Sequence, residues 1–504
     1  MIFILLSLVA FCFFAWLYLR WRKVQSYWSE RGVPHSPPHP ILGSLTFLQR
    51  QNPSLWMRKI YKDFKEPYVG IWQFWRPALI INSPEIARRV LVKDADIFRN
   101  RFLSSGKSDP IGALNVFTVN DPVWSQLRRR LTSVFTAAKL RNLNGITISK
   151  SKALINRIGV ESKKDESIDL RQICTDFTTD VIGESAFGIT SNCLAEGDSI
   201  MRRVTREFME FDWHRGLSWS SIFFFPELVD IFRFTFFPKK TMKLLRKIFR
   251  SVIEQRGGYD KEVKDTRDLL DALLKIRQDA AKDNEEISED LLLAQAAVFV
   301  LGGFDTSGTT LCWVIYELAW NPQYQEKLYE EVLEIKRKIG SRGFDSAILA
   351  DATYIDCVIK ETLRMYPPMG WLDRIAAKDY QIDENLTIEA GTTVYVNGVS
   401  MQIDPEYFPE PEVFNPDRFL PENERDITPY TFMPFGEGPR SCIGMRFAYQ
   451  TLRQGLADLL LNYEFKVYAD SPKPSQISIE KNGMFLVPDE KIAVQFVKRS
   501  NEFV

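Results

Sequence analysis

Histidine is almost missing from this chain: there are three in 504 residues, His35, His39 and His214, and the first two lie in a proline-rich segment near the N-terminus. A three-histidine metal site, or any metal group held by an axial histidine, needs imidazoles in the folded core, and the chain has hardly any to offer. Cysteine is sparse too. Cys12, Cys174, Cys193, Cys312, Cys357 and Cys442 are scattered with no C-x-x-C spacing, which argues against zinc and iron–sulfur sites built on local pairs. Neither sign of charge is in excess, with 65 Lys and Arg against 65 Asp and Glu, so the basic footprint of a nucleic-acid binder is absent. No internal repeat and no Gly/Ser linker divides the interior. One large domain is expected, although length alone would allow about three. The nucleotide-binding patterns G-x-G-x-x-G and G-x-x-x-x-G-K-[ST] are also missing, so any redox chemistry here draws its electrons from another protein.

What is present begins with residues 1–19, MIFILLSLVAFCFFAWLYL, which carry no charge. At about 1.5 Å per residue they just span a bilayer core of about 30 Å. Arg20, Arg22 and Lys23 follow at once, which by the positive-inside rule places the body in the cytosol. A cleaved secretory signal is the alternative, but its positive charge would precede the apolar run. Residues 20–43 read as a basic stop and a proline-rich hinge, with Pro34, Pro37, Pro38 and Pro40 stiffening the backbone, and residues 44–504 read as the working domain. A second apolar region, 219–238, holds Phe223, Phe224, Phe225, Phe232, Phe234, Phe236 and Phe237. It is either core or a surface that dips into lipid.

Hydrophobic spacing predicts helices over 84–92, 123–140, 170–187, 288–320, 322–339, 354–366 and 443–461. Short strands are predicted over 68–72, 78–82, 386–388, 393–397 and 492–496. The fold class is therefore mainly α with small β-sheets. Residues 404–425, rich in Pro, Asp and Glu, should form an irregular surface loop.

The most informative stretch is Phe435-Gly436-Glu437-Gly438-Pro439-Arg440-Ser441-Cys442-Ile443-Gly444, one cysteine in a glycine-punctuated loop just before a helix. Gly436, Gly438 and Gly444 allow sharp turns and close approach to a flat ligand. Free N–H groups at the helix start favour an anionic sulfur, so a thiolate is the expected form. A lone thiolate suits haem, which needs only one strong protein ligand. Within the 288–320 pattern, Gly302-Gly303-Phe304-Asp305-Thr306-Ser307-Gly308 sets glycines, an acid and hydroxyls inside an apolar helix. Gly302 and Gly303 would open the backbone to a ligand or dioxygen, and the Thr306 hydroxyl can bond an upstream carbonyl and hold water. A glycine-softened kink is the plain alternative.

The Cys442 loop matches F-x-x-G-x-R-x-C-x-G at every fixed position and so resembles the haem-binding signature of the cytochrome P-450 family. The 302–306 stretch resembles that family's A/G-G-x-D/E-T motif, Glu361-Thr362-Leu363-Arg364 its E-x-x-R pair, Pro416-Asp417-Arg418-Phe419 its P-E/D-R-F segment, and Trp124 with Arg128 its W-x-x-x-R. The resemblance implies haem between the long central helix and the Cys-loop helix, ligated by Cys442. Phe435 and Gly444 would flank it, and Trp124, Arg128, Arg374 and Arg440 would hold its propionates. It implies proton delivery by Asp305 and Thr306, a structural triad of Glu361, Arg364 and Arg418, and substrate contacts at Phe117, Phe299, Phe304, Trp371, Leu372 and Phe485. Segments such as Phe135-Thr136-Ala137-Ala138-Lys139-Leu140-Arg141 look like the insect families associated with foreign-compound metabolism. The expectation is a monooxygenase of the endoplasmic reticulum membrane, facing the cytoplasm. Its electrons would come from NADPH through a separate diflavin reductase, with a cytochrome b-type haem protein as a further partner, and its substrate would be an apolar xenobiotic. Oxidation of an endogenous lipid or hormone, an isomerase or dehydratase that needs no O2, and a non-catalytic haem carrier are the rivals. One departure stands out: Gln402-Ile403-Asp404-Pro405 replaces the His-x-Asp-Pro of many relatives.

Overall fold

The apolar pattern that starts after Ser288 folds as one unbroken helix, Glu289–Trp320, in a computed structural model that describes residues 2–164, 167–197, 199–210 and 212–500. The Ser288 hydroxyl accepts from Leu291 N at 3.2 Å, and Glu289 and Asp290 sit in the first turn, where the helix dipole favours acids. Most of this central helix is buried on every side. It presses against Leu170–Phe187 so closely that glycine is required at the crossing: a Cβ on Gly303 would lie 2.7 Å from Ile182 Cδ1, and one on Gly308 2.8 Å from Thr175 Cγ2. Gly303 thus serves helix packing and is not open to a ligand as expected. Gly302 is the open position, with nothing within 4 Å of the place a Cβ would take. The Cys-loop helix, Met445–Asn462, packs on the same pair of helices, its Gly455 against Phe177 and Leu311.

Among the described residues, eight short strands form three sheets: β1 (Tyr68–Gln73), β2 (Arg76–Ile81), β3 (Leu372–Ile375), β4 (Tyr380–Gln381), β5 (Thr387–Ile388), β6 (Thr393–Val396), β7 (Tyr463–Lys466) and β8 (Gln495–Lys498). The largest runs β1-β2-β6-β3, with β2 and β6 parallel and the other neighbours antiparallel. The strand expected over 492–496 starts later, where β8 pairs with β7, and the one expected over 386–388 shrinks to β5. The helix expected over 123–140 breaks into Val123–Thr132, a tight turn Ser133–Phe135 and Ala137–Asn142, because Thr136 is extended with ψ near 150°. Residues 404–425 are irregular apart from Pro416–Phe419 and Pro421–Glu424.

The 219–238 region divides residue by residue. Trp219, Phe223, Phe224, Phe225, Phe234, Phe236 and Phe237 are core, whereas Ile231 and Phe232 are 69% and 60% exposed, as is Trp213 nearby in sequence at 68%. The N-terminal helix, Ile2–Ser26, buries none of its side chains. The segment after it is not a free hinge. Trp28 is fully buried, its Nε1 donating to Ile71 O at 3.0 Å, and its ring fills the space over Gly70, where a Cβ would stand 2.5 Å from it. Trp72 Nε1 donates back to Val24 O at 3.0 Å, Gly70 N to Pro34 O at 2.8 Å, and Arg31 pairs with Glu389 at 2.9 Å.

Under the Cys loop lies a buried ion network. Arg364 Nε and Nη2 donate to the two Glu361 oxygens at 2.7 and 2.9 Å, with both residues fully buried. Its remaining N–H groups reach Gln402 O and Pro411 O, each at 2.8 Å, while Arg418 approaches Glu361 Oε1 at 3.4 Å. Gln402, the residue that departs from the family pattern, donates to Leu363 O and Arg364 O and accepts from Met433 N at 3.2 Å, tying the helix Thr353–Met365 to the start of the Cys loop. Stranding one member of such a pair typically costs about 3–5 kcal/mol. Arg364→Ala should lose stability on that order, and Arg418→Ala clearly less, since its contact is longer. Urea unfolding followed by tryptophan fluorescence checks both the size and the order.

Candidate active site

The Cys loop is held by two left-handed glycines, Gly436 at φ +70° and Gly438 at φ +71°. A Cβ on Gly438 would overlap the Leu91 carbonyl, so no other residue fits. Gly444 has φ −89°, and a Cβ there would meet only Cys442 Sγ, at 3.9 Å; its smallness leaves room beside the sulfur and is not needed for the turn. Cys442 N donates to Phe435 O at 2.8 Å, and the Phe435 ring lies 5.6 Å from Tyr449. The side chain of Cys442 presents free surface, yet burial is the largest influence on its thiol and pushes it above the ordinary value. The Gly444 N–H, then Arg128 and Arg101, and last the Met445 N–H pull the other way, but less strongly. The N–H groups of the helix start thus act in the expected direction, without offsetting burial on their own. A metal cation must complete the thiolate.

Four guanidinium groups gather around this loop. Arg440 stacks over Trp124 at 3.9 Å and donates to Arg99 O, Val119 O and Asn120 Oδ1, each at 3.0 Å. Arg128 donates to Ser441 O at 2.9 Å. Arg374 reaches only the neighbouring Asp373 O at 2.8 Å. The fourth, Arg101, carries no motif and escapes sequence reasoning; its Nη2 donates to Arg440 O at 3.5 Å and its buried Nε has no partner. Burial, followed by the repulsion of Arg101, lowers Arg374 to about 9, and burial with Arg101 and Arg374 lowers Arg440 to about 8. Asp373, whose Oδ2 accepts from Phe102 N at 2.7 Å and Leu103 N at 3.1 Å, acts against both shifts and Asp121 against that of Arg440, without offsetting them. Such a cluster asks for an anionic guest, and a haem with two propionates fits it. Among the described residues no group of three or more His, Cys, Asp and Glu is assembled for a bare metal ion.

The central helix offers Gly302 and Thr306 as its openings. Thr306 Oγ1 donates to Gly302 O at 2.6 Å, one turn back, and stays partly exposed. Phe299, on the same face, packs edge-on against Phe135 at 5.2 Å. An aromatic network begins at Phe117, next to Val116, whose N–H donates to Gln295 of this helix: Phe117 meets Phe223 at 6.2 Å and Phe236 at 6.1 Å, Trp219 stacks on Phe236 at 5.1 Å and touches Phe485 at 5.9 Å, and Trp371 meets Phe224 at 5.6 Å. Leu372 approaches the Cys loop beside Gly436. Of these, Phe117, Leu372 and Phe485 keep free surface.

Phe304 and Asp305 turn the other way. Both line a cavity of about 410 Å³ with Asp169, Arg171, Arg202 and Glu490, on the side of the helix Leu170–Phe187. Asp305 Oδ1 accepts from Arg171 Nη2 at 3.3 Å, its Oδ2 has no partner, and burial raises its pKa despite Arg171. The structure thus separates Phe304 from the other substrate candidates and sets the Asp305 carboxyl on a different face from the Thr306 hydroxyl.

A family model described as Cytochrome P450 matches residues 34–496. Among curated relatives, cytochrome P450 6k1 of Blattella germanica is 33% identical over 95% of this chain and 94% of its own. Probable cytochrome P450 6g2 of Drosophila melanogaster is 32% identical over 91% and 92%, and probable cytochrome P450 6a13 of the same organism 35% identical over 89% and 90%. With an accessible thiol in the Cys442 loop, an arginine cluster beside it and a family match over nearly its whole length, the chain belongs to the cytochrome P450 family of haem-thiolate proteins.

Proposed function

We propose that the chain is a membrane-anchored monooxygenase that places one oxygen atom of O2 into an apolar, foreign organic compound such as a plant toxin or insecticide and reduces the other to water. The observation that carries this reading is the aromatic network that reaches the arginine cluster of the Cys442 loop where Phe117 packs on Arg101; ligands would be taken up between it and the Gly302–Thr306 face of the central helix. Haem, when bound, supplies oxygen activation, which a thiolate ligand favours by promoting O–O cleavage. Arg101, Arg128, Arg374 and Arg440 would hold its carboxylates, and the Gly444 and Met445 N–H groups would steady the thiolate. The aromatic rings exclude water and take up apolar surface. The Thr306 oxygen, with its hydrogen committed to Gly302 O, keeps lone pairs free to hold a water in the site. Asp305 keeps its proton more firmly than an ordinary carboxyl and borders a polar cavity, which suits it to pass protons inward through water. The chain has no nucleotide-binding motif of its own, which supports electron supply from NADPH through a separate diflavin reductase, with a cytochrome b-type haem protein as auxiliary. Ile2–Ser26, uncharged over its first eighteen residues and followed by Arg20, Arg22 and Lys23, supports anchoring in the endoplasmic reticulum with the body in the cytoplasm.

Each part has its own measurement. Reduced protein under carbon monoxide should show the red-shifted Soret band of thiolate haem, and Cys442→Ala should abolish it; a variant that kept the band would remove Cys442 as the ligand. Protease added to intact microsomes should digest the body, and protection of the body would reverse the topology. Once a turned-over substrate is in hand, Thr306→Ala should keep the band while diverting NADPH consumption into hydrogen peroxide. The loss in product per NADPH is expected to approach the roughly 10²-fold lower end of general acid–base assistance, because solvent water substitutes in part. Unchanged coupling in both Thr306→Ala and Asp305→Asn would assign this stretch of helix to structure alone.

A further inference from the structure

We propose that Gln295 is a positioning residue for ligand selectivity: by holding the backbone of residues 114–116 against the central helix, it sets where Phe117 stands over the haem site. The inference rests on the reading above, in which ligands are taken up over Gly302 and Thr306.

Gln295 is a buried carboxamide in an apolar turn of the central helix. Its Oε1 accepts from Val116 N, and its Nε2 donates to Leu114 O and to Leu291 O, all at 2.9 Å. A side chain that both gives to and takes from one peptide segment acts as a strand partner would, and such a fully paired buried amide fixes geometry more tightly than apolar contact does. The held segment ends the short helix Pro110–Leu114, which Asp109 caps through Gly112 N at 3.1 Å. Asn115 then accepts from Phe117 N at 3.0 Å and Thr118 N at 3.2 Å, so little freedom remains between Val116 and the Phe117 ring.

Gln295, Phe299, Gly302 and Thr306 follow one another at spacings of four, three and four, which places all of them on one face of the helix. The peg and the site it serves thus share a face two to three turns apart. The Phe117 ring is the part that would move. It meets Phe223 and Phe236 on one side and the Arg101 guanidinium at 4.4 Å on the other. Arg101 in turn donates to Arg440 O, so a shift of residues 114–117 reaches the arginine cluster of the Cys loop through direct contacts.

The test uses the full-length, haem-loaded protein and three iron-binding probes of increasing size: imidazole, a phenylimidazole and a biphenylylimidazole, titrated by their spectral change. Gln295→Met keeps the volume and removes the hydrogen bonds. It should retain the thiolate carbon monoxide band and change the ratio of dissociation constants, imidazole to biphenylylimidazole, by about tenfold, the factor that loss of two neutral hydrogen bonds can produce. In a Phe117→Ala background the same substitution should change the ratio much less, because the ring it positions is gone. An unchanged ratio, equal scaling for all three probes, or additivity of the two substitutions would overturn the proposal. If Gln295→Met fails to take up haem, hydrogen exchange on the wild type decides: the Val116 amide should be protected like amides of the central helix, and exchange at the rate of exposed loops would overturn it. A wild-type protein without the thiolate band would fail the haem reading, whereas a normal band with an unchanged ratio fails this inference alone.

Discussion

Guanidinium groups do not collect in a protein interior without negative charge to meet them. Arg101, Arg374 and Arg440 are buried, with Arg128 half-buried beside them, and they come from four separate parts of the chain: the segment after Phe98, strand β3, the Cys loop and the helix Val123–Thr132. Burial and mutual repulsion depress Arg374 and Arg440, and Asp373 is too small an offset. Two propionates and a thiolate would supply what is lacking. The cofactor is therefore part of the folding energetics as well as of the chemistry, because it converts a costly cluster of like charges into a set of charge-assisted hydrogen bonds.

The central helix carries the second constraint. One face, through Gly303 and Gly308, presses on the helix Leu170–Phe187 and delivers Asp305 to Arg171 and the polar cavity. Another face, through Gln295, Phe299, Gly302 and Thr306, meets residues 114–116 at one end and Phe135 next to it. Two glycines next to each other in sequence thus do unrelated jobs, one permitting helix contact and one leaving open space. Two adjacent polar residues likewise stand on different faces, about 100° apart around the axis, as any helical neighbours must.

Motifs with fixed spacing are legible from the amino-acid order alone. Cys442, Arg440, Glu361 with Arg364, and Trp124 with Arg128 are all marked by local patterns; the fold pairs Glu361 with Arg364, stacks Arg440 on Trp124 and ties Arg128 to the Ser441 carbonyl. Residues whose partners are distant in sequence are not legible in this way. Arg101 meets Arg440 across 339 positions, and Gln295 meets Val116 across 179, so nothing in their neighbourhoods announces a role. Of the elements, the central helix and the first two strands can be read almost to the residue, while the amphipathic helix Lys239–Gln255 goes unpredicted even though Leu245, Ile248, Phe249 and Val252 have clear helical spacing. The density of phenylalanine just before it masks that spacing and points toward the membrane. Packing instead turns most of those rings inward, leaving Ile231 and Phe232 outside.

The seat that Trp28 takes over Gly70 makes the N-terminal helix a lever and not a tether. Its indole is bonded to β1, and the indole of Trp72 is bonded back to the last turn of the helix, so rotation of one body about the other would break both. Under the proposed topology, the tilt that lipid imposes on Ile2–Ser26 is passed directly to the sheet, and with it to every surface built on the sheet. The angle at which the enzyme sits on the bilayer would then be written into a tryptophan and the hydrogen atom it rests on. A solute dissolved in the membrane would meet the protein in one attitude, where a flexible leash would have offered many.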